Sequence, residues 1–232
     1  MRIVLKVSGE SLKGDSNIDT KKLEKICSEI REIGKDNELL IVVGGGNFWR
    51  GRNDLGINNA ISDYIGMLGT IMNALAIESY LNTKGIPASS YSAFEVLGVI
   101  KKSIRSDVLT DLKNNKVVVL GGGLGVPNLS TDMTTVSKAL EYNADLILMA
   151  KNVDGIYDRD PKNSDAKKLD TITHEELLNL SLSQGVSSLL ILDAEALVEL
   201  TKHKIPLYIY KADEIDNIEE VISGEKGTRV IT

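Results

Sequence analysis

The sequence predicts an α/β fold whose mostly parallel sheet is covered by helices on both faces. Three features of its 232 residues carry that prediction. Strand-like and helix-like segments alternate along the chain. The strand-like segments are Val/Ile/Leu runs with little period-two alternation. Two glycine clusters each follow such a run, at what would be equivalent strand ends. Composition agrees: 42% of residues are hydrophobic and 26% charged, enough to bury a core without covalent staples and too apolar for intrinsic disorder. The single cysteine, Cys27, excludes an intrachain disulfide and a multi-cysteine metal site.

Arg2 to Val7 reads as a buried strand. Thr20 to Lys35 follows as a helix, because Leu23, Ile26, Cys27, Ile30 and Ile33 recur at three- and four-residue spacing, with Asp19 as N-cap. Cys27 lies on that apolar stripe and is core filler rather than a nucleophile. Leu39 to Val43 is the second strand, ended abruptly by Gly44-Gly45-Gly46. Asn59 to Leu81 is a long helix with Ile61, Ile65, Leu68, Met72 and Leu75 on one face and Asp63, Met67 and Thr70 on the opposite one. The first of these faces is expected either to pack in the core or to meet another subunit. Lys116 to Leu120, Leu146 to Met149 and Pro206 to Tyr210 are further strands. Thr131 to Tyr142, His174 to Leu180 and Asp193 to His203 are further helices. His174 and His203 are expected on helix surfaces, outside every motif, and receive no role. With no internal repeat, low-complexity tract or Pro-rich linker, residues 1–232 read as one domain, its N-terminal lobe running to about 130 and its C-terminal lobe from about 131.

Charge narrows the ligand. With 27 Lys+Arg against 33 Asp+Glu the net charge is −6, and the chain has few aromatics, so nucleic acid is not expected as the main partner. No apolar run approaches the ~18 residues that cross a bilayer, and the N-terminus lacks a secretory pattern; a cytoplasmic location without membrane attachment is expected.

Seven of the 20 glycines fall in Gly44-Gly45-Gly46 and Gly121-Gly122-Gly123-Leu124-Gly125. Glycine at such turns lets the backbone approach an anion and aim N–H groups at it. One cluster alone would be an ordinary tight turn; two at equivalent strand ends favour a phosphate or nucleotide site. Neither GxGxxG nor GxxxxGK[ST] is satisfied at any turn, which excludes the two commonest glycine-loop readings. Lys6, on a buried strand, either meets an anion there or snorkels to water. Arg50 and Arg52 stand beside the second strand end, placed either for bidentate phosphate capture or as surface loop residues.

These residues carry a resemblance. KVSGE at Lys6–Glu10, GGGNFWRG at Gly44–Gly51, SDYIGMLGTIMNALA at Ser62–Ala76, STD at Ser130–Asp132, VDGIYDRDP at Val153–Pro161 and GEKGT at Gly224–Thr228 resemble, in order and over nearly the whole chain, the bacterial UMP kinases of the amino-acid kinase superfamily. The resemblance implies a three-layer α/β/α sandwich with an acceptor-binding N-terminal lobe and an ATP-binding C-terminal lobe. It implies transfer of the ATP γ-phosphoryl group to UMP with Mg²⁺ accompanying ATP, in pyrimidine nucleotide biosynthesis. It also implies a homohexamer activated by GTP and inhibited by UTP.

Carried over by motif, Lys6, Arg50 and Asp132 would be the catalytic residues, Asp132 orienting the lysine. Lys6, Val7, Ser8, Gly9, Gly46 and Arg50 would hold the ATP phosphates, and Lys151, Asn152, Tyr157 and Asp160 the rest of ATP. Gly45, Asp63 and the loop Leu124, Gly125, Val126, Pro127, Asn128, Leu129, Ser130 and Thr131 would hold UMP, Asp63 at the ribose. No side-chain metal ligand is implied. Family members usually read GTGNPFFTTD at the acceptor loop; here Leu124 and Val126 replace the Thr and Asn of its GTGN, and Asn128 and Leu129 replace its aromatics. Each lost hydrogen bond to the acceptor would cost about 1–3 kcal/mol where its partner is left unpaired. The competing readings are a superfamily kinase for a carboxylate, carbamate or isoprenoid phosphate, and a non-catalytic nucleotide sensor or storage protein.

Overall fold

The computed structural model describes residues 1–50, 56–151, 153–184, 192–211 and 219–232. In chain order its elements are β1 (Arg2–Val7), a 3₁₀ turn (Gly9–Leu12), α1 (Thr20–Gly34), β2 (Glu38–Val43), α2 (Asn59–Thr83), β3 (Ala88–Ser92), α3 (Arg105–Lys113), β4 (Val117–Gly121), α4 (Thr131–Glu141) and β5 (Leu146–Lys151). There follow β6 (Ile156–Tyr157), β7 (Lys168–Leu169), β8 (Thr171–Thr173), α5 (His174–Gln184), α6 (Ala194–His203), β9 (Leu207–Lys211), α7 (Glu219–Ile222) and β10 (Thr228–Ile231).

Eight strands form one sheet in the order β3-β4-β2-β1-β5-β9-β10-β8; β9 and β10 pair antiparallel and every other pair is parallel. The strands lack hydrophobic alternation because both faces are covered. Val4, Val42, Leu120, Ile147 and Met149 pack on one side with Val136 and Ala139 of α4 and Leu197 and Leu200 of α6. Leu5, Val7, Ile41, Val43 and Leu148 pack on the other with Leu23, Cys27 and Ile30 of α1 and Ala74 and Ile77 of α2. Each such buried side chain contributes roughly 1.5–3 kcal/mol relative to exposure. Asp19 caps α1 through bonds from the Lys21 and Lys22 amides, and Cys27 is buried among the apolar side chains of that face. The three-layer expectation holds.

One detail decides between two expectations, and two depart from the sequence reading. The Ile61, Leu68 and Met72 side of α2 faces outward, 53%, 47% and 44% exposed, while Met67, Thr70, Asn73, Ala74, Ile77 and Leu81 are buried. On the inward side the turn after β2 comes very close to the helix: a Cβ on Gly45 would clash with the Gly66 carbonyl oxygen, and one on Gly69 would lie 3.2 Å from Phe48 Cβ. By length and composition α2 could cross a membrane, but its inner face packs on β3 and β4 as a core helix does. His174 is not on the surface. It is 2% exposed, and its ring nitrogens lie 2.8 Å from the carbonyl oxygens of Ile205 and Ile231, tying α5 to the chain ends around β9 and β10. Finally, β3 (Ala-Ser-Ser-Tyr-Ser) carries no apolar run; it is a strand because β4 offers a free edge and Tyr91 reaches Asp111 with its hydroxyl at 2.7 Å.

Candidate active site

The carboxyl ends of β1, β2, β4 and β5 lie at one edge of the sheet, where ligands bind in open α/β folds. Register explains what gathers there. Lys6 on β1 stands opposite Met149 on β5. Side chains two residues apart share a strand face, so Lys151 projects on the same side as Met149 and Lys6, one step nearer the edge. Helix α4 covers that side. Its first turn brings Asp132 between the two ammonium groups, at 2.5 Å from Lys6 Nζ and 3.0 Å from Lys151 Nζ. All three side chains are only 13–14% exposed.

Two lysines and one carboxylate leave a net positive charge at a buried point of a negative molecule. Burial, reinforced by the neighbouring Lys6 ammonium, pulls Lys151 down to about 8 against the attraction of Asp132. Burial pushes the Asp132 carboxyl up, but the two ammonium groups outweigh it and hold it below the usual carboxylate value. The ordinary lysine value is 10.5, so between about 8 and 10.5 the unfolded chain holds a proton that the folded one has released; this residue's contribution to stability rises with pH across that window. A bound polyanion restores the proton. Polyanion binding is therefore expected to take up a proton at pH 8.5 and none at pH 6.5, read by calorimetry in buffers of different ionisation enthalpy, and to weaken as pH climbs past about 8. Proton-neutral binding at pH 8.5 would contradict this.

The glycine turns pack on one another at the same edge of the sheet. A Cβ on Gly9 would lie 2.7 Å from the Gly44 carbonyl oxygen and 2.8 Å from the Gly46 nitrogen, so the turns after β1 and β2 are in backbone contact and admit no side chain. Two buried amides hold the second turn against α2. Asn73 donates to the Gly44 carbonyl at 2.7 Å and exchanges hydrogen bonds with Asn47, and Asn47 also donates to the Asn17 carbonyl. Thr70 Oγ1 accepts from the Gly122 amide at 2.6 Å, joining the turn after β4 to the same helix. Sequence reading missed Asn47, Asn73 and Thr70 as a clamp. An asparagine in the middle of an apolar helix was the available signal.

Between α2 and these turns lies a cleft of about 220 Å³, lined by Gly45, Gly46, Trp49, Ser62, Asp63, Gly66, Met67, Thr70, Gly123, Leu129, Ser130, Thr131 and Thr134, with Val42 and Val43 at its floor. Trp49 Nε1 donates to Ser62 Oγ at 2.8 Å and so fixes one wall. Ser130 caps α4 by accepting from the Met133 amide, and its hydroxyl pairs with Asp193. The wall formed by Leu129 to Thr131 thus leads directly into Asp132.

The expected residues divide as follows. Lys6, Asp132 and Lys151 meet; Gly45, Gly46, Asp63, Leu129, Ser130 and Thr131 line the adjoining cleft, and Gly9 is packed against Gly44 and Gly46. Val7 is buried at the end of β1, its carbonyl accepting from the Gly44 amide, and the Ser8 carbonyl accepts from Ser11. Arg50 is 64% exposed and does not line the cleft; its Nε donates to Glu10 Oε1 at 2.8 Å, which holds the Glu10 carboxyl below its ordinary value. Leu124, Gly125, Val126, Pro127 and Asn128 do not line the cleft; a Cβ on Gly125 would touch Ala93, and Val126 is half exposed. Tyr157 and Asp160 sit on and after β6: the Tyr157 hydroxyl donates to Asp154 at 2.7 Å, and Asp160 accepts from the Lys162 amide. Near them, Asp154, Lys168, Tyr210, Lys211, Val221, Lys226 and Gly227 line a cavity of about 110 Å³. Gly51, Arg52 and Asn152 lie outside the described residues. In the GEKGT segment, the Thr228 hydroxyl accepts from the Ile156 amide and pairs with the Leu169 carbonyl, bracing the β6–β7 hairpin.

The profile of the amino acid kinase family matches residues 1–211 of the chain. The uridylate kinase of Pediococcus pentosaceus is 38% identical over 99% of this chain and 95% of its own length. That of Deinococcus radiodurans is 39% identical over 97% of this chain and 92% of its own length. Among solved structures, UMP kinase from Ureaplasma parvum superposes with a TM-score of 0.90 at 33% identity, covering 100% of this chain and 98% of that one. UMP kinase from Bacillus anthracis gives 0.91 at 31% identity, covering 99% and 95%.

Proposed function

The chain belongs to the amino acid kinase family, and on that footing we propose that it transfers the γ-phosphoryl group of ATP to UMP, giving UDP and ADP. The observation that carries the chemistry is the pair of buried ammonium groups held by one carboxylate beneath the glycine turns. The acceptor is carried by the uridylate kinases to which the chain is similar over nearly its full length.

In-line phosphoryl transfer needs positioning and cancellation of the charge spread over the transferring group. UMP, with a second pKa near 6, is already mostly dianionic at pH 7, so no general base is required. Lys6 supplies positive charge to the transferring group. Asp132 keeps Lys6 and Lys151 in place and compensates one of them while the site is empty. Gly9, Gly45 and Gly46 offer backbone amides to the phosphates with no side chain in the way. Val7 and Ser8 complete that turn, and Arg50 swings from Glu10 to phosphate. Asn152, Tyr157 and Asp160 hold the remainder of ATP, so the donor falls to the lobe from about 131 and the acceptor to the lobe before it. Asp63, Leu129, Ser130 and Thr131 face UMP, with Leu124 to Asn128 as the preceding stretch of the same loop.

Mg²⁺ enters with ATP. Both Asp132 oxygens are engaged by ammonium groups, and among the described residues no group of three His, Cys, Asp or Glu is gathered for a metal. Bound with ATP, it would supply positive charge to the phosphate oxygens, a donor type that suits this ion. The outward Ile61–Leu68–Met72 face of α2 supports assembly with further copies, which we read as the homohexamer of the bacterial enzymes, controlled by GTP and UTP, in cytoplasmic pyrimidine nucleotide synthesis.

An ADP-release assay over UMP, CMP, acetylglutamate and carbamate tests the reading. UMP is expected to be turned over well ahead of the rest; turnover of another acceptor, or ATP binding without turnover, would favour one of the competing readings. In the same assay Asp63→Asn is expected to raise the KM for UMP about tenfold, because a charged acceptor at the ribose hydroxyls becomes a neutral one, with the KM for ATP nearly unmoved. An unchanged UMP KM would make Asp63 a helix residue only.

A further inference from the structure

The loop between β4 and α4 follows a left-handed path at four residues: Gly122 (φ 74°), Gly123 (57°), Gly125 (79°) and Asn128 (66°). Three are glycines, for which that conformation is free of strain. The fourth carries a side chain, which is exposed. Its backbone is engaged: the Asn128 amide donates to Asp63 Oδ2 at 2.7 Å, across 65 positions of sequence and onto α2. Asp63 lines the cleft alongside Leu129, Ser130 and Thr131.

We propose that Asn128 is a positioning residue for the acceptor: its left-handed backbone aims its amide at Asp63 and so fixes the loop that forms one wall of the cleft. This rests on the reading of the cleft as the UMP site. Two pins then bracket one residue. Asn128 is tied to α2 through Asp63, and Ser130 is tied to α4 as its N-cap. Leu129 lies between them and is presented to the cleft as an apolar wall, 37% exposed. The Asp63 carboxylate is divided between two tasks, Oδ2 taking the loop amide and Oδ1 remaining for an acceptor hydroxyl. Asparagine is suited to this position because it enters the left-handed region several times more readily than other side-chain-bearing residues, whereas a β-branched residue there is strained. The aromatic residue usual in the family at this point is thus exchanged for one whose use here is its backbone.

Asn128→Gly and Asn128→Val separate backbone from side chain. Both remove the carboxamide, but only valine resists the left-handed conformation. The KM for UMP is expected to be at least tenfold higher in the valine variant than in the glycine variant, about 1.4 kcal/mol, with the KM for ATP within twofold between them. Equal UMP KM values, or ATP values that shift in parallel, would overturn the proposal. Amide exchange in the substrate-free protein gives a second reading that does not depend on turnover. Residues 124–130 are expected to exchange faster in Asn128→Val, and in Asp63→Ala, than in the parent chain; unchanged exchange in both would equally overturn it. If the parent chain phosphorylates a different acceptor, the UMP reading fails while the exchange experiment still decides whether Asn128 holds the loop.

Discussion

Replacing Lys6 with methionine is expected to lower kcat about a thousandfold while the KM for ATP changes by only a few fold. The ammonium is placed at the carboxyl end of β1, buried, with Asp132 as its partner. Such a group interacts most strongly with charge that develops as the γ-phosphoryl group leaves ADP, and removing one preorganised electrostatic contact of this kind costs ~10²–10³ in rate. Methionine keeps the length and apolar stem of the side chain, and Asp132 keeps Lys151 as a partner, so the fold is expected to remain intact. The signature is thus a split between kcat and KM without a large change in melting temperature. Steady-state ADP release at saturating UMP measures it. Turnover equal to that of the parent chain would remove Lys6 from the chemistry.

Asp132→Ala is expected to damage both activity and stability. Without the carboxylate, two ammonium groups, each 13% exposed on its side chain, face one another with nothing between them. Removing one partner from a buried ionic cluster typically costs about 3–5 kcal/mol, because the charge left behind is uncompensated. The kcat is expected to fall at least a hundredfold, since Lys6 no longer has a fixed direction. The stability loss should depend on pH in a definite sense. Lys151 already sits near 8 with the Asp132 attraction in place, so losing that attraction moves it lower still, and the folded variant sheds the proton more readily. Raising the pH from 7 to 9 therefore narrows the gap to the parent chain. Urea unfolding at the two pH values tests this; an equal deficit at both would mean that the carboxylate does not act through Lys151.

Much of the architecture could be read in the chain because parallel strands buried on both faces write themselves as apolar runs, as in Leu39 to Val43 or Leu146 to Met149. The residues that escaped are those whose state is set by neighbours. Ala88–Ser92 has no strand pattern of its own and pairs because the edge of β4 is open. Periodicity left the Ile61–Leu68–Met72 face of α2 open between core and subunit contact; the sheet selects the opposite side, where a Cβ on Gly69 would lie 3.2 Å from Phe48 Cβ in the turn after β2. His174 looked like a surface residue because histidine is polar, and two carbonyl oxygens distant in sequence make its burial tolerable.

At the site, the motif glycines and Lys6, Asp132 and Lys151 were legible. Period-two geometry on adjacent strands then explains why Lys6 and Lys151 project together. The Asn47–Asn73 amide pair and the Asp63–Asn128 bond were not legible, since hydrogen bonds between residues 26 and 65 positions apart leave no periodic trace.

The most direct test is a single turnover with ATP labelled in its γ-phosphoryl group and UMP as acceptor. Label is expected to appear in UDP, with none released ahead of it as inorganic phosphate, and to appear about a thousandfold more slowly with Lys6→Met. Label found only in inorganic phosphate, or reaching UDP as fast in the Lys6 variant as in the parent chain, would contradict the assignment of this ammonium–carboxylate centre to phosphoryl transfer.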